Sequence, residues 1–321
     1  MLDNNKPFFS IAIPAYKCAF LAEAIDSCLA QYFADFELVI VDDASPEDIS
    51  GVVASYQDSR IRYFRNARNC GAIDVVDNWN ICLGYCRGEY VICMGDDDRL
   101  LPDCLEEYAR LIDAYPDLNV YHAWTELIDE QGRVIKQLSH RPEYQGCMSM
   151  IWQLWSGDAQ YIGDFCFKTE HLRSEGGFYK LPLAWGADHV TTIRAAVNGG
   201  IANAQKVSFQ YRENAATISN GGNNAIKIEA KIVEKQWFEK FLSELPKIED
   251  KEEQEFYRLI NDHYEDYCRN EVLVYIKKYF HESLMHIFPT IMKHRHFGIA
   301  LLTILKVYLK VVKYEFKQRI V

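Results

Sequence analysis

The feature that most constrains this chain is a short apolar run that ends in three consecutive carboxylates. The run covers residues 90–94, and after Gly95 come Asp96, Asp97 and Asp98. A run without polar alternation is typical of a strand buried on both faces of a parallel sheet. The carboxyl ends of such strands form the edge where ligands bind in open α/β sheets. Because adjacent like charges repel and hard divalent cations take carboxylate oxygens, the triplet predicts a Mg²⁺ or Mn²⁺ site that holds a diphosphate.

A second strand that ends in acids strengthens this prediction. Residues 36–41 form a second predicted strand that is apolar except for Glu37, and Asp42 and Asp43 follow it. Taken alone, each acidic cluster has an ordinary explanation, because acidic triplets are common in surface loops and an acid after a strand often caps a helix or forms a turn. Two parallel strands, however, bring their carboxyl ends to one edge of the sheet. We therefore expect both clusters to face the same ligand site.

Strands and helices are predicted to alternate along the first part of the chain. Apolar runs predict strands, and apolar residues at helical spacing predict the helices between them. The strands are predicted at residues 8–14, 36–41, 61–64, 90–94, 120–124, 162–168 and 207–212, and the helices at 21–32, 47–56, 73–86, 104–115, 148–155 and 190–198. Strand–helix alternation repeated three times predicts an α/β fold with a mainly parallel, doubly wound sheet flanked by helices.

Composition narrows the class of protein. The 321 residues allow one large domain, or a domain of about 200–220 residues with an appendage. A formal net charge of −11 argues against nucleic acid as a partner. The start of the chain lacks the apolar region of a signal peptide, no stretch reaches the length of a membrane span, and the ten cysteines form no Cys-x-x-Cys pair. These features predict a cytoplasmic protein.

Three segments together resemble a known family. They are residues 10–16, 37–45 and 88–98, which read SIAIPAY, ELVIVDDAS and GEYVICMGDDD. In this order and at these separations they resemble the nucleotide-sugar domain of family 2 inverting glycosyltransferases, which have the GT-A fold. The resemblance covers about the first 215 residues. It implies a Rossmann-like, mixed but mainly parallel sheet and a nucleoside-diphosphate sugar as the donor.

The resemblance assigns roles to residues at the two acid-ended strands. Pro14, Tyr16 and Asp43 match the positions that hold the base and ribose of the nucleotide. The chemistry is suitable, because an aromatic face stacks on a base and a carboxylate accepts its N–H. The family's metal motif usually reads Asp-x-Asp-Asp. In that register Gly95 replaces the first acid, and Asp97 falls on the main metal-ligand position.

Neighbouring positions complete this predicted site. The other predicted metal ligand is Asp98, and Asp96 is predicted to contact the substrate or to be a further ligand. Asn69 lies in a loop that matches a family loop near the nucleotide. An arginine that many members carry after that loop is missing, and Arg68 is a possible substitute.

Residues 181–198 and 207–219 resemble the catalytic end of the family domain. Asp188 matches the acid that deprotonates the acceptor hydroxyl, although Ala187 replaces the Glu that usually precedes it. His189 is a local rival for the base, because its ordinary pKa suits proton transfer. The preceding Trp185 is predicted to contact the substrate.

Two positions in residues 207–219 are also part of the prediction. Arg212 either faces the diphosphate or makes a structural ion pair, and the two interpretations stay open here. Asn214 replaces a histidine of the family pattern.

The remaining residues form a different region. We predict a catalytic domain at residues 1–222 and a helical region at 223–321, with a flexible break near 220–224 that is suited to closing over bound donor. The helical region is first acidic and then basic and apolar, with Lys306 and Lys310 four residues apart. Such an end predicts a helix that lies on a membrane surface. The alternative is a helix that packs on the catalytic domain or on a twin subunit in a homodimer.

Two functions from different classes follow. The first is an inverting glycosyltransferase that moves a sugar to a hydroxyl of a saccharide acceptor, by analogy a lipid-linked one, at the inner face of the cell membrane. The second is an inert relative that binds a nucleotide or sugar as a scaffold for envelope assembly, which the departures at Gly95, Ala187 and Asn214 keep open. A nucleotidyltransferase is disfavoured, because no glycine-rich, arginine-containing loop follows the first strand.

Overall fold

The computed structural model describes residues 6–138, 140–214 and 222–318. Its strands are β1 (Phe9–Ala15), β2 (Phe36–Asp42), β3 (Ile61–Arg65), β4 (Tyr90–Cys93), β5 (Arg99–Leu100), β6 (Val120–Ile128), β7 (Val134–Gln137), β8 (Tyr144–Gln145), β9 (Phe165–Lys168) and β10 (Ile201–Arg212). Its α-helices are α1 (Leu21–Leu29), α2 (Ile49–Ala54), α3 (Val75–Tyr85), α4 (Cys104–Ala114), α5 (Cys147–Trp155), α6 (Thr169–Ser174), α7 (Ala187–Ala196), α8 (Asn224–Glu244), α9 (Lys251–Glu282), α10 (Ile287–Lys293) and α11 (Leu301–Gln318). Three 3-10 helices cover Ile162–Asp164, Pro182–Ala184 and Leu284–His286.

The strands form one mixed sheet in the order β3-β2-β1-β4-β9-β6-β10-β5, with β7 beside β6 and β8 beside β10. The first four strands in this order are parallel to one another, and β6 and β10 are also parallel. Strand β9 lies antiparallel between β4 and β6 and so joins the two parallel sets. This architecture confirms the predicted α/β fold with a mixed, mainly parallel sheet flanked by helices.

The central strands form because both of their faces are buried. All seven residues of β2 and all four residues of β4 are buried, as the mainly apolar sequence of the two strands predicts. Helix α1 covers one face of the sheet with Leu21, Ile25 and Cys28, which recur at helical spacing. The polar side chains of the predicted site therefore lie in the turns that follow the carboxyl ends of these strands.

The second half of the sheet differs in detail from the sequence prediction. The segment predicted as a strand from residue 162 begins with the 3-10 helix Ile162–Asp164, and the strand starts at Phe165. The last strand, β10, starts at Ile201 and is longer than the predicted 207–212, because it pairs with β6 along its length and with β8 at its start. These pairings depend on partners that are distant in sequence.

The chain divides into two compact units. Unit 1 comprises residues 1–180 and 187–217, and unit 2 comprises residues 181–186 and 218–321. The predicted domain division at 222/223 remains a prediction, and the predicted break near 220–224 lies partly outside the described residues. Unit 2 is helical and has its own apolar core around Ile228, Ile276 and Phe280. None of the described helices has the length and apolar character that crossing a membrane requires.

Candidate active site

The ends of β1 and β2 lie side by side at the carboxyl edge of the sheet. Ala15 is paired with Asp42, and Pro14 with Val41, in parallel register. The backbone N–H of Asp43 donates to the Ala15 carbonyl at 2.9 Å and so extends this pairing by one residue. The loop that begins at Pro14 and the acids that follow β2 therefore meet at one edge.

Asp96 fixes the loop that carries Tyr16. One oxygen of the Asp96 carboxylate, Oδ2, accepts the backbone N–H groups of Tyr16 and Lys17, each at 2.7 Å. The Ser45 hydroxyl donates to the Tyr16 carbonyl at 2.6 Å and connects the loop to the turn after β2. The Tyr16 side chain remains 40% exposed. The arrangement leaves its ring available for stacking on a flat ligand.

The two acids after β2 have different surroundings. Asp42 is fully buried and accepts from the Tyr63 hydroxyl at 2.8 Å, from Arg65 and from the backbone N–H of Ser45. Its charge is therefore balanced inside the fold.

Asp43 faces the loop that follows β3. It accepts the Asn66 side-chain amide at 2.8 Å and the Cys70 backbone N–H at 3.0 Å. In the same loop the exposed Asn69 accepts the backbone N–H of Gly71. The structure thus brings Asp43 and this loop together. The predicted nucleotide contacts of Asp43 and Asn69 stay predictions.

Asp97, like Asp96, is half-buried. Its Oδ2 accepts the side-chain amide N–H of Asn214 at 2.7 Å. Within the described residues its other oxygen, Oδ1, accepts no hydrogen bond from another residue. Asn214, which stands where the family pattern has histidine, therefore contacts the residue that matches the main metal ligand.

Asp98 is buried and its carboxylate is bonded to the backbone. It accepts the N–H of Arg212 at 3.0 Å and the N–H of Gly95 at 3.2 Å. A Cβ atom at Gly95 would lie 2.8 Å from Oδ2 of Asp98 and 3.0 Å from Oδ1 of Asp97. The glycine that replaces the family's first acid is thus explained by packing, because a side chain there would displace both carboxylates.

The Arg212 side chain is bonded to the backbone of the turn that carries the three acids. It is fully buried and its Nε donates to the Asp97 carbonyl at 2.8 Å, while Nη2 bonds to Glu23 at 2.8 Å. The other donor, Nη1, bonds to the carbonyls of residues 129 and 130, and the guanidinium lies 4.1 Å from the centre of the Phe20 ring. This placement favours the structural ion pair of the two interpretations over contact with a diphosphate.

The triplet concentrates negative charge that the fold does not balance. Burial raises the pKa of Asp96 to about 6, and the charge of Asp97 adds to the shift. Burial also raises the pKa of Asp97, and burial together with the Asp97 charge raises that of Asp98 well above its ordinary value. Each ionised carboxylate is therefore less stable here than in water, and a bound cation would reverse this effect.

The residues present fit a hard divalent cation at one point. Asp97 offers a half-buried carboxylate with one oxygen unbonded within the described residues, and such oxygens are what Mg²⁺ and Mn²⁺ take. Both oxygens of Asp98 already accept backbone N–H groups, and its predicted role as a ligand stays a prediction. Among the described residues no group of three or more His, Cys, Asp or Glu side chains is arranged around a common metal position.

Asp188 lies in the first turn of α7, and its side chain is 15% exposed. His189 Nε2 is 3.9 Å from Asp188 Oδ2, a separation too long for a hydrogen bond. The charge of Asp188 contributes to raising the pKa of Tyr161 and of Asp164. Asp188 is therefore in electrostatic range of the 3-10 helix that precedes β9.

Asp164 is a buried acid that sequence reasoning missed. It is fully buried, accepts the Thr125 hydroxyl at 2.7 Å and the Tyr161 N–H at 2.8 Å, and lies 3.8 Å from His122. Burial raises its pKa to about 7. Its charge also raises the pKa of Asp98. The signal was a single acid between apolar residues, which resembles an ordinary turn before a strand.

Trp185 belongs to unit 2. Its ring meets that of Tyr275 edge to face at a centroid distance of 5.5 Å, and the Lys227 ammonium lies 4.2 Å from the Trp185 ring centre. The ring therefore packs within the helical unit, and the predicted contact of Trp185 with substrate stays a prediction.

The mixed, mainly parallel sheet flanked by helices matches the GT-A fold. The profile of Glycosyl transferase family 2 matches residues 10–168, and the chain belongs to that family through this domain. The matched segment runs from β1 to β9 and contains the residues of both acidic turns.

Relatives with glycosyltransferase names agree with this assignment. WcaA of Escherichia coli (strain K12), whose name places it provisionally in colanic acid biosynthesis as a glycosyl transferase, is 35% identical over 146 residues, which are 44% of this chain and 50% of WcaA. An uncharacterised glycosyltransferase of Methanocaldococcus jannaschii is 29% identical over 146 residues, 44% of this chain and 49% of that protein. The chain spans between 14% and 50% of the length of the curated relatives it matches.

Solved structures support the fold. S. aureus TarS 1–349 in complex with UDP-GlcNAc superimposes with a TM-score of 0.62, at 17% identity, over 84% of this chain and 81% of the TarS chain. The same TarS fragment in complex with UDP gives a TM-score of 0.58 over 84% of this chain and 80% of that one. At this identity the likeness concerns the fold alone.

Proposed function

We propose that this chain is an inverting glycosyltransferase that uses a nucleoside-diphosphate sugar as donor. The observation that carries the proposal is the half-buried Asp97, which has one unbonded oxygen within the described residues and stands at the edge where the Tyr16 loop and Asp43 meet. The family assignment of residues 10–168 and the UDP and UDP-GlcNAc bound to TarS support a nucleotide-sugar donor. We expect the acceptor to be a saccharide, lipid-linked, in surface polysaccharide or glycan assembly.

The donor would be recognised by the first acidic turn and the Tyr16 loop. The exposed Tyr16 ring is suited to stacking on the base, and Asp96 and Ser45 hold its backbone in place. Asp43 is suited to accept an N–H of the base, and Asn66 and the Cys70 N–H fix its orientation. Because these residues are held by hydrogen bonds before a ligand binds, little ordering would be lost on binding.

Asp97, with Asp98 and Asp96 beside it, would hold Mg²⁺ or Mn²⁺. When bound, such an ion offsets the negative charge that develops on the leaving diphosphate. Asn214 and the Arg212 side chain position Asp97 through its Oδ2 and its carbonyl. The surplus of carboxylates with raised pKa values in this turn is the property of the chain that favours the cation.

Asp188 would act as the general base. It would take the proton of the acceptor hydroxyl as that oxygen forms its bond to the anomeric carbon and the bond from that carbon to the diphosphate breaks. A single displacement of this kind inverts the configuration at the anomeric carbon. The protein would act in the cytoplasm, at the inner face of the cell membrane.

A donor screen tests this proposal. The purified full chain is incubated with Mn²⁺ and UDP-, GDP-, CDP- and dTDP-sugars, with and without saccharide acceptors, and the anomeric configuration of any product is read by NMR. We expect consumption of one class of donor that depends on the divalent ion, and a product of inverted configuration. Nucleotide binding without turnover on any acceptor would favour the scaffold function, and a retained configuration would contradict the single displacement.

A further inference from the structure

Helix α11 of unit 2 carries a stripe of apolar side chains on its exposed side. Leu302, Leu309 and Phe316 are 63%, 64% and 67% exposed. They follow one another at seven-residue intervals, so they lie along one line of the helix. Ile304 and Val311 take the opposite side and are buried in the core of unit 2. The exposed stripe is therefore additional to the face that packs the helix onto its own unit.

Lysines lie beside this stripe. Lys306 and Lys313 are one turn after Leu302 and Leu309, and Lys310 and Lys317 follow one turn later. Within the described part of the chain none of these four lysines is paired with an acid. The stripe and the four lysines together are called here the outer face of α11.

Charge is separated along the chain. Residues 283–321 contain seven Lys and Arg and one acid, a formal net charge of +6, so the rest of the chain carries −17 of the total of −11. The one acid is Glu315, which is bonded to His281 at 2.7 Å. The outer face of α11 is thus basic and apolar in a protein that is acidic elsewhere.

Helix α10 adds exposed apolar surface in the same region. Phe288 and Met292, one turn apart, are 61% and 86% exposed. Of the 18 large hydrophobic side chains that are exposed in the described residues, eight lie between positions 285 and 316. An apolar surface concentrated in this way marks an interaction site in a protein otherwise polar outside.

We infer that the outer face of α11 binds the surface of a bilayer that contains anionic lipid. Apolar side chains in line with flanking lysines suit a helix that lies in the interface, with the stripe among the acyl chains and the ammonium groups at the lipid phosphates. The cytoplasmic leaflet supplies such anionic headgroups. This inference rests on the membrane location proposed above and is independent of the transfer reaction.

A second copy of this chain fits the same face less well. In a symmetric dimer built on it, the lysines of one subunit would meet those of the other, and like charges across an interface are unfavourable. Unpaired lysines are also depleted from the centres of protein interfaces. The anionic bilayer has the complementary charge and needs no matching partner residue.

The test uses co-sedimentation of the full chain with vesicles. One set is pure phosphatidylcholine, and the other contains roughly 30% phosphatidylglycerol. We expect binding at least about tenfold tighter to the anionic vesicles, weakening as salt is raised. The variant K306Q/K310Q/K313Q/K317Q should bind the anionic vesicles on the order of 100-fold more weakly. The variant L302Q/L309Q/F316Q should also lose vesicle binding, with its lysines intact.

A matched control separates the face from bulk charge. The variant K240Q/K247Q/K251Q/K277Q removes four exposed lysines from α8, α9 and the loop between them and should bind within about threefold of wild type. Equal binding to both kinds of vesicle, or equal losses in the two lysine variants, would overturn the inference. The inference would also be overturned if wild type bound no vesicles but formed a dimer in ultracentrifugation, and if that dimer dissociated in L302Q/L309Q/F316Q. Donor hydrolysis without a lipid acceptor should be unchanged in all these variants, so a failed transferase and a failed membrane site give different results.

Discussion

The two acidic turns of unit 1 look alike in sequence but differ in how their charge is balanced. After β2, Asp42 meets Arg65 and the Tyr63 hydroxyl inside the fold. After β4, Asp96 and Asp98 are bonded to backbone N–H groups, and Asp97 to an amide. The charge of Asp42 is thus balanced by a guanidinium, whereas the carboxylates of the second turn accept only backbone and amide N–H groups from the described residues. The comparison indicates that a carboxylate's partners, and not its place after a strand, decide whether it supports the fold or binds a cation.

The largest expected effect comes from removing the half-buried acid of the second turn. Asp97→Asn keeps the size of the side chain and its position next to Asn214. It removes the charge that would hold the cation. We expect the rate of sugar transfer to fall by roughly 1000-fold or more, with the thermal midpoint unchanged or raised. Asp113→Asn, at an exposed position on α4, is the control and should keep full activity. Near-normal turnover in Asp97→Asn would contradict the claim that the second turn binds a cation.

Replacing the proposed base should have the next largest effect. Asp188→Asn cannot accept the acceptor's proton, and we expect transfer to fall by about 100- to 10,000-fold while donor binding is retained. His189→Gln is the matched variant next to it and should lose less than about tenfold. The measurement is the initial rate of transfer together with the dissociation constant of the donor nucleotide. If the transfer rate fell more in His189→Gln than in Asp188→Asn, His189 and not Asp188 would be the general base.

Asp42, the first acid of the first turn, should affect stability instead of activity. Asp42→Ala removes the buried acceptor of the Tyr63 hydroxyl and of the Ser45 N–H. Because the Arg65 side chain is 47% exposed and stays solvated, we expect the free energy of unfolding to fall by about 1–3 kcal/mol. Asp97→Ala, measured alongside, should change it by less than about 1 kcal/mol, because its charge is unfavourably buried in the metal-free protein. Urea unfolding in EDTA, followed by a probe in unit 1, measures both. Equal losses would contradict the comparison.

Asp164 should make the free energy of unfolding depend on pH. Its folded pKa of about 7 lies above the ordinary value of 3.8, so the native state holds a proton that the unfolded chain has released. Stability due to this group is therefore present below about pH 4 and is lost as pH rises to about 7. The loss amounts to about 4 kcal/mol. Unfolding of the metal-free protein at several pH values measures it.

Asp164→Asn should remove this dependence. The amide does not ionise, so the difference in stability between wild type and Asp164→Asn should change between pH 4 and pH 7. The lost hydrogen bond from the Tyr161 N–H adds a cost of about 1–3 kcal/mol that does not vary with pH. A parallel pair of pH profiles, with a constant offset, would mean that Asp164 is ionised in the folded protein throughout.

The smallest expected effect concerns the glycine of the second turn. A Cβ at Gly95 would approach Asp98 Oδ2 to 2.8 Å, so Gly95→Ala should lower stability by about 1–3 kcal/mol through crowding. Gly84→Ala is a suitable control, because a Cβ there meets no atom within 4 Å. Thermal unfolding of both variants checks this prediction. A fully stable Gly95→Ala protein would contradict the packing explanation for the glycine.

The sequence predicted the regular parts of this fold because their physical signals are local. Residues 90–94 are apolar without interruption and residues 36–41 are apolar except for Glu37, and the structure places both as buried parallel strands with acids at their ends. The insertion of β9 between β4 and β6 was not predictable in this way, because strand pairing depends on distant partners.

Side-chain roles were harder to predict for the same reason. Arg212 could not be assigned between a ligand and an ion pair until Phe20 and Glu23 were located around it. Asp164 gave only the signal of a single acid, since the hydroxyl that it accepts belongs to Thr125, which is distant in sequence.

The most direct test of the central claim is calorimetric titration of UDP and the other nucleoside diphosphates into the protein, with Mn²⁺ and with EDTA. The account predicts that at least one nucleotide binds wild type and Asp113→Asn only when the ion is present, and that Asp97→Asn loses this ion-dependent binding. Equal affinity of wild type and Asp97→Asn for the nucleotide, with or without Mn²⁺, would contradict the claim that the second acidic turn holds the diphosphate through a cation.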